Sequence, residues 1–193
     1  MTKARTLADF NATSIDPALL DDTGTIPSAL LAGVGGGVTE ADQWRLTADK
    51  AGQQEPLSAD LSRVNSDGFA LLGTGMSQSS GVFTFPSTGH YLVMANVTFE
   101  KDGAQRRVGV EIQSSVDGSN FNSASEGFTH VSDESNGSQS FTFAQASFLF
   151  DVIDTSTHKV RFNINTNNDG NVNISASTST NKTCFTFIKL ADT

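Results

Sequence analysis

An all-β fold is predicted, and three observations carry that prediction. Tyr91, Val93, Ala95, Val97 and Phe99 alternate with His90, Leu92, Met94, Asn96 and Thr98, the period of two that a strand imposes on its faces. Apolar runs recur between turn signals at roughly the 8–12-residue spacing of a sandwich. Composition agrees: the 193 residues include 14 Phe and only 4 Pro, with Ser, Thr, Asn and Gly filling many polar positions, a mixture suited to short strands and polar turns.

Residues 1–37 stand apart. Leu7 and Phe10, then Ile15, Leu19 and Leu20, make brief apolar clusters broken by Asp and Pro. Residues 28–31, after Pro27, have room for one helical turn. Pieces this short bury no core unaided, so these five apolar residues are the candidates for anchoring contacts. Gly33-Val34-Gly35-Gly36-Gly37 reads as a flexible linker. No G-K-[ST] follows it and no strand precedes it, which argues against a phosphate-cradling loop. The expected organisation is an anchoring arm with a glycine hinge, 1–37, and a folded head, 38–193.

The head's first strand is expected at 43–47, which holds the only Trp. Residues 48–56 are polar and form a loop, and 57–64 and 69–72 read as short edge strands. Gly81-Val82-Phe83-Thr84-Phe85 is an apolar run ending at Pro86, and Pro86-Ser87-Thr88-Gly89 has tight-turn chemistry. The segment 81–99 is therefore expected to be a hairpin. Leu92 and Met94 make the second strand apolar on both faces, so it is expected to be covered on both sides.

Lys101-Asp102-Gly103-Ala104 is a turn, Val108, Val110 and Ile112 mark a half-exposed strand, and Asp117-Gly118 signals a hairpin turn. Another strand is expected within 121–131 and a loop over 133–139. Between 140 and 153, Phe141 and Phe143 share one phase while Phe148 and Phe150 share the other. That pattern fits either a β-bulge or a strand apolar on both faces. Val160, Phe162 and Ile164 alternate, Asn167-Asn168-Asp169-Gly170 turns, Val172, Ile174 and Ala176 alternate again, and 183–190 is apolar on both phases.

Three strands (90–99, 140–152 and 183–190) thus carry apolar residues on both phases. A two-layer sandwich buries one face per sheet, so the second faces need a cover: neighbouring subunits, long loops, or the N-terminal arm. Core or subunit-interface candidates are Phe83, Phe85, Tyr91, Val93, Phe148, Phe150, Phe185 and Phe187.

Catalytic, cofactor-binding and metal-binding residues are not assigned. His90, His130 and His158 lack metal-ligand spacing, and Asp117, Asp133, Asp151, Asp154 and Asp169 sit at loops or strand ends, where Asp favours turns. Glu134 also falls in such a loop. No D-x-D-x-D-G loop supports calcium, and no G-x-S-x-G or nucleotide motif is present. An enzyme is not expected. Cys184 is the single cysteine and is expected to be a buried, reduced thiol. A net charge of −9 and a pI near 4.6 disfavour nucleic acid and anionic membranes. The start of the chain lacks an apolar signal core and no run reaches membrane-spanning length, so synthesis in a cytoplasm without membrane insertion is expected.

Two resemblances add to this. The motif G-x-F-T-F-P-x-x-G-x-Y-L-V, at Gly81, Phe83, Phe85, Pro86, Gly89 and Tyr91, resembles the middle of a C1q/TNF-like jelly-roll domain, and residues 183–190 are similar to that family's closing strand. Covering roughly 38–193, this resemblance implies a β-sandwich of about ten strands that assembles as a homotrimer, one sheet facing the threefold axis, and binds partners through its outer surface. Thr2–Phe10, T-K-A-R-x-L-A-D-F, is similar to the opening of many tailed-phage fibre and appendage proteins, especially from marine and cyanobacterial phages. Together the two imply a structural virion protein. Its arm would meet other virion proteins, and its head would project as a tail-fibre or capsid-fibre or decoration component. A host-surface glycan or protein would be met through loops such as 117–126 and 132–139. The alternative is a non-viral C1q-like lectin or adhesin.

Overall fold

In the computed structural model, which describes residues 37–133 and 137–193, the alternation at 90–99 is realised as one long strand at the heart of a sheet. The expectations for Leu7, Phe10, Ile15, Leu19, Leu20, the turn at 28–31 and the linker at 33–36 lie outside the described residues. Twelve strands follow in chain order: β1 (Ala41–Leu46), β2 (Lys50–Ala51), β3 (Leu61–Arg63), β4 (Ser77–Ser79), β5 (Val82–Thr84), β6 (Gly89–Lys101), β7 (Gln105–Ser115), β8 (Asn122–Val131), β9 (Ser140–Val152), β10 (Lys159–Asn165), β11 (Asn173–Ile174) and β12 (Cys184–Ala191). The described residues contain no helix.

Two antiparallel sheets face each other. One runs β9-β6-β12-β1-β3, with β11 pairing the far end of β6 and carrying β2. The other runs β4-β5-β10-β7-β8. Tyr91, Val93, Ala95, Val97 and Phe99 of β6 are fully buried between the layers, as a strand facing a core by every second residue requires. The predicted all-β sandwich is what the described residues form.

Aromatic rings fill its centre. Phe83 of β5 meets Trp44 of β1 edge-on at 5.5 Å, Phe162 of β10 at 5.5 Å and Phe187 of β12 at 5.1 Å between centroids. Phe162 stacks on Phe185 at 4.0 Å, and Phe85 packs on Tyr91 at 4.7 Å. Such offset and edge contacts add to the apolar area each ring removes from water. Beside them, buried Asp42 of β1 accepts hydrogen bonds from Arg63 Nε at 3.0 Å, Trp44 Nε1 at 2.9 Å and the Met76 backbone N–H at 2.8 Å. One carboxylate thereby joins β1 to β3 and to the approach of β4.

Several expectations are corrected. The segment 81–99 is not a hairpin: β5 pairs β4 and β10 in one sheet, whereas β6 belongs to the other. The Pro86–Gly89 turn carries the chain from one layer to the next. The true hairpin joins β4 to β5 through Ser80 and Gly81, whose φ angles of 50° and 81° are those of a two-residue type I′ turn. Of 57–64 only β3 is strand, and of 69–72 only Leu72 bridges, to Ala41. The strand expected over 172–176 shortens to β11, and that expected at 43–47 lies at 41–46. β9 pairs β6 without interruption from Ser140 to Val152, so the phase shift among its phenylalanines reflects two apolar faces and not a bulge.

The layers approach closely where β8 passes β9. A Cβ at Gly127 would overlap the backbone carbonyl of Gln145, so this position admits only glycine without a shift of one strand. Thr129 and Thr142 hydroxyls meet there at 3.0 Å.

Three loop aspartates hold their charged form well. The Asp117 carboxylate accepts from the Asn120 side chain, the Asn120 and Ser119 backbone N–H groups and the Ser115 hydroxyl, which together hold it far below the usual range. The Ser156 hydroxyl and N–H do the same for Asp154, and the Asn171 N–H and then Lys101 for Asp169. A carboxyl pKa lower in the folded state contributes stability that is present above the unfolded value and lost as pH falls through the folded one. Thermal melts followed by circular dichroism are therefore expected to show a constant midpoint from about pH 7 to 5 and a falling one below about pH 4. A midpoint unchanged down to about pH 2 would contradict this account.

Candidate functional site

The in-register pairing of β6 with β9 sorts their side chains into two sets. Ala144, Ala146, Phe150 and Val152 are buried, and Phe148 packs half-buried against the same core. The opposite phase of β9 points away from the sandwich. On it Phe141 is 63% exposed, Phe143 52% and Leu149 58%, and Ile153 just beyond the strand is 61% exposed.

Neighbouring strands extend this outward face. Leu149 lies opposite Leu92 of β6, Leu92 opposite Ile188 of β12, and Ile188 opposite Ala41 of β1. One apolar row thus crosses four strands. The adjacent row is Ser147, Met94, Thr186 and Gln43, and towards the other end Phe143 faces Thr98 and Phe141 faces Glu100. Leu92, Met94 and Ile188 are half-buried by their own sheet, and the phenylalanines at the β9 edge stand free of it. Large apolar side chains grouped on one sheet face are the usual mark of a surface that meets another protein.

The eight residues singled out from the sequence fall on the core side. Phe83, Phe85, Tyr91, Val93, Phe150, Phe185 and Phe187 are buried between the sheets and Phe148 is half-buried against them. The outward set comprises Leu92, Met94, Phe141, Phe143, Leu149 and Ile188. Its signal is the second apolar phase of the same three strands, which alternation alone leaves unassigned to core or surface.

Chemistry-bearing groups are dispersed. Among the described residues no three His, Cys, Asp or Glu side chains gather as metal ligands would. His90 and Asp151 approach to 3.7 Å across β6 and β9, both well exposed. His158 is buried, stacks on Phe150 at 5.5 Å and contacts the Thr157 hydroxyl through Nδ1. Cys184 is buried, and burial pushes its thiol up, so the nucleophilic thiolate is disfavoured. Of the two loops expected to contact a host, the first is closed on itself by Asp117 and runs into β8 at Asn122, and residues 134–136 of the second lie outside the described residues.

No protein-family model and no curated protein matches the chain. Its backbone is similar to that of solved structures. Murine APRIL at pH 5.0 superposes with a TM-score of 0.56 and 14% identity, over 78% of this chain and 98% of that one. Eiger TNF from S. frugiperda superposes with a TM-score of 0.59 and 8% identity, over 82% of this chain and 96% of that one. At such identities the likeness is one of architecture, and the head is a TNF-like jelly roll.

Proposed function

We propose that this chain is a structural virion protein of a tailed bacteriophage. In this proposal it is a homotrimer whose arm, 1–37, docks on other virion proteins through Leu7, Phe10, Ile15, Leu19 and Leu20. Its jelly-roll head projects as a tail-fibre or capsid-fibre or decoration component that contacts a host surface. The observation that carries the assembly is the apolar row Leu149–Leu92–Ile188 with the exposed Phe141 and Phe143 beside it. Covering such a face with neighbouring subunits stabilises the assembly at roughly 25 cal/mol per Å² of apolar area, and closed symmetry limits it to a definite number of copies. The C1q/TNF-like architecture favours three. The virion assignment is supported by the T-K-A-R-x-L-A-D-F opening and the glycine linker behind it.

Light scattering coupled to size exclusion tests the assembly. The full-length protein is expected at about 61 kDa, three times its 20.4 kDa mass, and a stable monomer would remove the trimer. Mass spectrometry of gradient-purified virions tests the location. Absence of the chain from particles would favour the non-viral adhesin, which shares the head and has nothing to dock on.

A further inference from the structure

A cleft of about 700 Å³ opens beside β1, between the loop that follows β3 and the loop that precedes β12. Arg45, Gln43, Ser66, Asp67, Phe69 and Asn181 line it. Arg45 is 1% exposed, yet it belongs to none of the ion pairs among the described residues. Its Nη2 donates to Ser66 Oγ at 2.8 Å, and its Nη1 is buried without any hydrogen-bond partner. A guanidinium withdrawn from water is costly unless something supplies the opposite charge. The nearby Cys184 thiol is held neutral by burial, and Asp67 accepts from the Ser66 hydroxyl at 2.9 Å without reaching the arginine.

The walls narrow the choice of partner. Asp67 and Gly68 have φ angles of 59° and 80°, and the Phe69 N–H donates to the Ser66 carbonyl at 3.1 Å, so a tight turn sets Asp67 and the half-buried Phe69 at the cleft. Across from them Asn181 Nδ2 donates to Gln43 Oε1 at 2.6 Å. Hydroxyls, amides and one carboxylate share the wall with Val64 and a single aromatic ring. A peptide or flat aromatic ligand would call for more apolar wall than this.

We infer that the cleft is a binding site for a carboxylate-bearing saccharide. A small turn of the Arg45 side chain toward the cleft that it lines brings its guanidinium to the sugar carboxylate as a charge-assisted hydrogen-bond partner. Asp67, Gln43 and Asn181 exchange hydrogen bonds with ring hydroxyls, and Phe69 covers an apolar sugar face. This deepens the host-attachment proposal and rests on it only for the source of the saccharide.

Calorimetric titration of the full-length protein with glucuronic, galacturonic and N-acetylneuraminic acids, against glucose and galactose, tests it. At least one acidic sugar is expected to bind, and the neutral sugars at least about tenfold more weakly. Arg45→Gln is expected to weaken that binding about tenfold or more with an unchanged solution mass and a melting temperature unchanged or raised. Failure of every acidic sugar to bind, or full binding by Arg45→Gln, overturns the inference. Should Arg45→Gln not fold, Phe69→Ala and Asn181→Ala at the cleft carry the same test, and unchanged affinity in both overturns it. A changed solution mass in Arg45→Gln without acidic-sugar binding would assign the arginine's partner to a neighbouring copy. Neither the trimer mass nor the presence of the chain on virions depends on these results, so the two proposals fail separately.

Discussion

Lysine at both Leu92 and Leu149 is expected to convert the proposed homotrimer to single 20.4 kDa chains. The two positions lie directly opposite on β6 and β9 and both point out of the sandwich. In a separated chain the new ammonium groups face water, and the core side of each strand is untouched. In the proposed assembly they would be buried with no partner, at roughly 3–5 kcal/mol for an uncompensated charge, and like charges placed opposite repel as well. The association constant should therefore fall by at least about a hundredfold. Light scattering across a dilution series checks this, with Val116→Lys on the exposed β7–β8 connection as a control that keeps its mass. A double variant that stays trimeric at all concentrations would show that subunits meet elsewhere.

Phe83→Ala is expected to cost the head about 3–5 kcal/mol, the range for removing a large buried aromatic side chain. Phe83 is fully buried and its ring touches rings from both sheets, through Trp44, Phe185 and Phe187 on one side and Phe162 on the other. The hole cannot close without moving both layers. For a domain of this size the melting temperature should drop by roughly 6–20 °C. Phe141→Ala, on the outward face, should change the stability of a separated chain by less than about 0.5 kcal/mol. Equal losses in the two variants would mean that the faces have been assigned the wrong way round.

These two phenylalanines also show what the sequence discloses. In β6 the phase from Tyr91 to Phe99 is apolar throughout while the other mixes Leu92 and Met94 with His90, Asn96 and Thr98, and that imbalance names the core side. In β9 the same rule is silent on direction: Phe141 and Phe148 are equally apolar, and only the pairing with β6 decides which side each takes. The Pro86–Gly89 turn misleads for a related reason. A proline–glycine turn fixes a reversal of the chain but not whether the next strand joins the same sheet or the opposite one. The real hairpin turn was obscured because Ser80 takes a positive φ that its side chain does not advertise. The cleft at Arg45 has no linear signature at all. Its walls come from residues 66–69 and 179–181, more than a hundred positions apart, and the β12–β1–β3 pairing sets them side by side.

That pairing has a consequence for how the protein is made. β12 leaves the ribosome after the eleven other described strands, yet it sits between β6 and β1, and neither gains that neighbour until translation has passed residue 191. At about 5–20 residues per second, the nascent head waits for seconds with two strand edges open. Long-range closure of this kind is slow, and an open edge is a template for aggregation. A product cut short before β12 keeps those edges permanently and falls to chaperones and proteases. The fold itself thus checks that translation has carried through β12, because only then are the edges of β6 and β1 closed.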